Sequence, residues 1–261
     1  MMNTRHTTTI LHRANFEGMT LDQQHKHFNE QGFVLLPKMV SLDQIARVRS
    51  EMEGLDRCDF IERWPGPHME QLITNPKLLK PLRRCYGEQL KFFKSVYAEW
   101  RTVDADKKKR GRQGLHRDYR PDPLDGDYRN SCASWCNVGH YFIDLEIDEG
   151  PLWVVPGSHK LAWTNTHGPL EQFANDACIL LAKAGDAVML HNLTVHAGGV
   201  MGSGRPRPSL FQSYRPSWAA PLKTVPEWPD QVVKQASPDL RQLLVGQNDG
   251  LRVGAHGIIS R

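Results

Sequence analysis

Two histidines and a carboxylate restrict this chain more than any other feature. They stand in His116-Arg117-Asp118 and at His196, 80 positions later (196 − 116). In an extended strand, residues i and i+2 point to the same face. His116 and Asp118 can therefore aim inward together while Arg117 points away. A fold that unites them with His196 must lay a distant strand alongside. Two neutral imidazoles and one carboxylate on one face of an ion suit Fe(II) and leave its other positions open. His191, five positions before His196, is a rival second histidine, and chemistry alone does not choose between them. Arg207 and Ser209 follow. They share a strand face, so a planar guanidinium and a hydroxyl can meet one carboxylate. Arg205 lies on the same face and competes.

The strand pattern supports such a convergence. Gly32 to Leu36 reads as a short buried strand ended by Pro37. Ser41 then reads as the N-cap of a helix with Leu42, Ile45, Val48 and Met52 on its apolar face. A second helix is expected over Pro76 to Tyr86, with Leu78, Leu79 and Leu82 inward and Gly87 as its stop. From residue 89 the pattern changes. Leu90 to Trp100, Cys132 to Leu145, Leu152 to Val155, Ala187 to Leu190 and Ser209 to Tyr214 read as strands. Asp-Glu-Gly, Pro-Gly-Ser, Ala-Gly-Asp and Gly-Ser-Gly turns punctuate them. The expectation is a mainly β fold with flanking helices: a double-stranded β-helix, or cupin-like jelly roll, buttressed by N-terminal helices. One domain over 1–261 is expected. It comprises a loose arm, strand and helices over 1–88, the jelly-roll core over 89–217, and an irregular extension over 218–261. A helix is expected within Val232 to Leu244 of that extension.

Composition narrows the function classes. The net charge of +4 lacks the basic stripe of a dedicated nucleic-acid binder and is compatible with an acidic small molecule. No apolar run is long enough to span a membrane, and the N-terminus has no secretory h-region. The cysteines Cys58, Cys85, Cys132, Cys136 and Cys178 are odd in number and scattered, which argues for free thiols and a cytoplasmic location. The basic run Lys107 to Arg112 reads as a solvated loop or as a lid that attracts an anion.

Four blocks resemble the phytanoyl-CoA dioxygenase family of Fe(II)/2-oxoglutarate oxygenases: Phe28 to Pro37, Leu115 to Asp118, Gly150 to Lys160 (GPLWVVPGSHK) and Gly185 to Arg207. Together they cover roughly residues 25–215. The resemblance implies that His116, Asp118 and His196, rather than His191, hold Fe(II). It further implies that Arg207 clamps the cosubstrate 2-oxoglutarate and that O2 takes an open position. Trp135 falls where relatives often place a tryptophan beside the cosubstrate. Ser209 or Thr194 can replace a serine that some relatives carry after the distal histidine and that Ala197-Gly198-Gly199 lacks. His159 reads as structural, in a turn where Gly157 supplies unusual backbone angles. His140 reads as core or pocket lining. Asp118 is the ligand that related halogenases lack, so its presence favours hydroxylation of an unactivated carbon in a small anionic or zwitterionic metabolite. Desaturation or another oxidative rearrangement is the alternative at the same site. A metal-dependent hydrolase and a non-catalytic jelly-roll binding module are the alternatives of other classes. Residues that bind the substrate are not legible.

Overall fold

The first helix, α1 (Leu21–Gln31), is set by a reciprocal cap. The Thr20 hydroxyl accepts from the Gln23 amide, and the Gln23 side chain returns to the Thr20 amide. Gly32 ends the helix at φ +83°, and the chain turns directly into β2 (Phe33–Leu36), buried throughout. The computed structural model describes residues 8–100, 112–118, 134–161, 170–219, 221, 224–249, 253–254 and 257–258.

Before α1, Ile10–His12 form β1, which runs parallel to β7 (Cys178–Leu181). This corrects, for the described residues from 8 onward, the loose arm expected at the start of the chain. Arg13 fastens the segment through a 2.8 Å ion pair to the buried carboxylate of Asp186. Such a long-range tie leaves no local signal in the sequence.

Ser41 caps α2 (Leu42–Glu51) as expected, accepting from the Gln44 amide. Ile45, Val48 and Met52 are buried, but Leu42 is 70% exposed. As the first helical residue, Leu42 precedes the turn that meets the core. Next come β3 (Arg57–Asp59), α3 (Pro67–Ile73) and α4 (Pro76–Tyr86). In α4, Leu78, Leu79 and Leu82 face inward and Gly87 follows at φ +90°, as its spacing predicts. Neither α1, β3 nor α3 is evident from apolar periodicity alone.

Two sheets form the body, as the mainly β reading requires. One has six strands in the order β2-β8-β5-β10-β4-β3, with β4 (Leu90–Trp100), β5 (Cys136–Tyr141), β8 (Ala187–His191) and β10 (Arg207–Pro216). Its pairings are antiparallel. The other has four strands in the order β1-β7-β6-β9, with β6 (Leu152–Val154) and β9 (His196–Gly198). A bulge in the β10–β4 ladder lies between Ser213, paired with Lys94, and Tyr214, paired with Phe92. It leaves Phe93 outside the register, and Phe93 meets Trp135 edge-on with ring centroids 5.6 Å apart.

In the tail, Val232 to Leu244 is not one helix but parts of two, Asp230–Gln235 and Pro238–Leu244. Pro238 cannot continue the first, and Ser237 caps the second. Pro238–Leu244 buries Leu240, Leu243 and Leu244. No described helix is long and apolar enough to cross a membrane.

Candidate metal centre

The ligand-bearing segments meet backbone to backbone. His116 and His196 form an antiparallel bridge with two 2.8 Å hydrogen bonds, each amide donating to the other's carbonyl. The flanking residues turn the other way. Leu115, Val195 and Ala197 enter a small apolar cluster with Val155 and Ala177. Alternation therefore drives the imidazoles to the opposite face. The rings lie 4.3 Å apart, and Asp118 Oδ1 is 4.0 Å from His116 Nε2 and 3.6 Å from His196 Nε2. Among the described residues, this trio is the one whose donor atoms converge closely enough to hold a metal ion.

Backbone carbonyls orient both rings. His116 Nδ1 lies 3.1 Å from the Gly114 carbonyl, and His196 Nδ1 lies 2.9 Å from that of Thr194. A carbonyl only accepts, so each Nδ1 carries its proton and each Nε2 presents a lone pair toward Asp118. Asp118 is aimed in turn: Asn137 Nδ2 donates to Oδ2 at 3.0 Å, which leaves Oδ1 facing the histidines. Ser213 Oγ, at 2.9 Å from Asn137 Oδ1, holds that amide in place. Asn137→Ala should therefore weaken Fe(II) affinity roughly 10- to 100-fold while the fold persists. Competition against a chelator measures this, and unchanged affinity contradicts the orienting role.

Ser158, in the PGSHK turn, ties the two arms together. Its buried hydroxyl accepts from the Val195 amide at 2.8 Å, beside His196. Its carbonyl accepts from Arg117 Nη2 at 3.0 Å, between His116 and Asp118. Gly157 stands at φ +74°, the left-handed angle anticipated for this turn. Arg112 anchors the far end of the motif through two contacts with Glu171, at 3.2 and 2.6 Å, while Glu171 also accepts from the Leu115 amide. Arg112 is thus buried and paired, a correction to the solvated or lid-like segment expected there. Lys107 to Gly111 lie outside the described residues.

The remaining candidates separate by contact. His191 faces away from the trio. Its ring lies 5.2 Å from that of His159, its Nδ1 accepts from the Leu193 amide, and burial pushes its pKa down to about 4. His159 contacts the Asn29 carbonyl, as a structural residue would. His140 is a core residue hydrogen-bonded to Gln212, and burial pushes its pKa down to about 4. Thr194 is committed to the Gly32 carbonyl. Arg205 pairs with Glu149.

Arg207 is buried, and its Nη1 donates to the Gly150 carbonyl. Its Nε has no partner, and neither does the buried hydroxyl of Ser209 two residues along the same face. Burial depresses the Arg207 pKa, as expected of a cation removed from water. Unsatisfied buried donors are costly, and a bound carboxylate would satisfy both.

A cavity of about 310 Å³ opens between the sheets. His116, Asp118, His196 and Arg207 line it with Asn137, Tyr141, Leu152 and Phe211, and Arg57 and Lys94 complete its charged wall. Ser209 and Trp135 are not among the lining residues. Trp135 is fully buried against Phe93 instead of facing the cavity, because the bulge sets Phe93 across it. Sequence reading missed Asn137, Ser158 and Glu171. Asn137 and Ser158 lay inside segments already singled out, yet only tertiary contacts reveal their partners.

A two-sheet jelly roll with a His-Asp-His trio defines an oxygenase-like class of fold and site. The chain belongs to the phytanoyl-CoA dioxygenase (PhyH) family, whose model matches residues 64–209. It is 25% identical over 236 residues to dioxygenase sphC of Aspergillus fumigatus, covering 79% of this chain and 62% of that protein. The chain thus spans less than two thirds of the length of that curated relative. In fold it is similar to the non-heme alpha ketoglutarate dependent carbocyclase SnoK from nogalamycin biosynthesis, with a TM-score of 0.63 at 18% identity over 89% of this chain and 94% of that one. It is also similar to HygX from Streptomyces hygroscopicus with nickel and 2-oxoglutarate bound, with a TM-score of 0.62 at 17% identity over 77% and 89% of the two chains.

Proposed function

We propose that this protein is an Fe(II)- and 2-oxoglutarate-dependent dioxygenase that oxidises a small molecule. The observation that carries this reading is one cavity holding both the trio and the buried, incompletely satisfied Arg207. His116, Asp118 and His196 hold the metal; Arg207 takes the distal carboxylate of 2-oxoglutarate, with the unpartnered Ser209 hydroxyl behind it on the same strand face. When bound, the iron with 2-oxoglutarate and O2 supplies the oxidation of an unactivated carbon, with succinate and CO2 as coproducts.

The chain's own residues do the positioning. The Gly114 and Thr194 carbonyls engage both Nδ1 atoms, which turns each Nε2 toward the metal position. Asn137 fixes the carboxylate of Asp118. Leu152, Tyr141 and Phe211 wall the cavity and limit water at the reacting carbon. Asp118 supports hydroxylation over halogenation, since it fills the position a halide would need. A cyclisation or another rearrangement is the second reading, favoured by the fold shared with the carbocyclase. Cys58, Cys85, Cys136 and Cys178 are free thiols, which suits a cytoplasmic setting.

Purified protein with Fe(II), ascorbate, 2-oxoglutarate and air should release succinate, and a metabolite panel should stimulate that release. Turnover of a panel ester with zinc alone and no oxygen would instead support the hydrolase reading. Neither activity would favour a binding module.

A further inference from the structure

We infer that Tyr141 donates its hydroxyl to the distal carboxylate of 2-oxoglutarate, alongside Arg207. The inference rests on the functional reading above and adds to that site a binding residue that sequence spacing does not reveal. Tyr141 lines the cavity that holds the trio and Arg207, whereas Trp135 does not.

Register sets the face on which the phenol stands. Tyr141 ends β5 and pairs with Ser209 of β10. In the same ladder Gly139 pairs with Phe211, and Asn137 with Ser213. Alternate residues of a strand share a face, and so do residues paired across a ladder. Tyr141, Gly139 and Asn137 therefore stand on the face of Arg207, Ser209, Phe211 and Ser213. The intervening His140 points the other way, to Gln212. Along the cavity face the ladder runs from Ser209, beside the clamp, to Asn137, which holds Asp118 at the metal end.

The hydroxyl lies between those ends. A Cβ built on Gly139 would come 3.7 Å from Tyr141 Oη and 3.3 Å from the Phe211 ring. The phenol thus leans along the strand from its own backbone toward the metal end, over the one residue of this face that has no side chain. A keto diacid seated on Arg207 and reaching toward the trio passes this point.

The hydroxyl is also free to donate. Tyr141 is only 3% exposed, yet its hydroxyl takes part in no hydrogen bond among the described residues. A buried donor without a partner is costly, and a carboxylate oxygen would satisfy it. Burial raises the pKa of the phenol above its ordinary value, and Arg207 is near enough to oppose that rise. Tyr141 therefore keeps its proton at neutral pH and offers a donor where Arg207 offers a charge. A carboxylate has about four lone-pair sites to fill. Arg207 commits Nη1 to the Gly150 carbonyl, which leaves part of the carboxylate for a second donor.

The test uses the full chain loaded anaerobically with Fe(II), with 2-oxoglutarate and 2-oxopentanoate as probes. 2-Oxopentanoate keeps the keto acid end and has a methyl group in place of the distal carboxylate. Tyr141→Phe removes one oxygen that bonds to no described residue, so the fold should persist. Charge-transfer absorbance and calorimetry give the dissociation constants. The variant should bind 2-oxoglutarate about tenfold more weakly and 2-oxopentanoate with unchanged affinity. Unchanged affinity for 2-oxoglutarate overturns the inference. An equal loss for both probes also overturns it, because the hydroxyl then serves something other than the distal carboxylate. The unaltered protein separates this inference from the reading beneath it. A charge-transfer band there, with no effect of the variant, refutes only the role of Tyr141; no band there refutes the cosubstrate reading itself.

Discussion

His196→Ala should abolish succinate formation, with a loss on the order of 10³-fold or more, because it removes a donor that no other described histidine is placed to replace. The nearest histidine in sequence, His191, turns toward His159 and is engaged by the Leu193 amide. The β9 backbone on either side of His196 is held independently. Its amide and carbonyl bridge to His116, and Val195 and Ala197 stay in their apolar cluster. The variant should therefore keep its circular dichroism spectrum while losing tight Fe(II) binding. His191→Ala is the control and should retain succinate formation within a few-fold. Activity surviving in the first variant and vanishing in the control would assign the ligand to the wrong histidine.

Arg207→Ala should raise the apparent KM for 2-oxoglutarate roughly 10- to 100-fold, with a smaller change in kcat. That range corresponds to about 1.5–3 kcal/mol for charge-assisted hydrogen bonds. If, as proposed, the group holds the end of the cosubstrate remote from the metal, its loss should fall mainly on binding. Arg207→Lys should recover part of the affinity, since an ammonium keeps the charge but not the planar fork. Arg205→Ala should leave the KM unchanged, because Arg205 already serves the buried carboxylate of Glu149. Steady-state titration of 2-oxoglutarate resolves the three. A KM that moves with Arg205 and not with Arg207 places the clamp at the other arginine.

The parts legible in the sequence were those carried by local chemistry. Ser41 and Gly87 marked helix ends, and Leu90 to Trp100 declared a strand by its length and composition. Period-2 alternation placed His116 with Asp118 and Arg207 with Ser209 before any contact was known. The parts missed depend on distant partners. Ile10–His12 gain their strand pairing from β7 and their anchor from Asp186, 173 residues beyond Arg13. Arg112 looked like the end of a basic loop because Glu171 lies 59 residues away. Asn137 carries no motif, and only the approach of Asp118 gives its amide a task. Trp135 shows the converse error. It falls where relatives place a tryptophan beside the cosubstrate, but here it is fully buried against Phe93.

Anaerobic addition of Fe(II) to the protein with 2-oxoglutarate tests the central claim most directly. An iron held by His116, Asp118 and His196 and bound by 2-oxoglutarate would give a visible charge-transfer band, expected to saturate at one iron per chain. His196→Ala should fail to form it. A band that never forms in the unaltered protein, with both components in excess, would contradict the account.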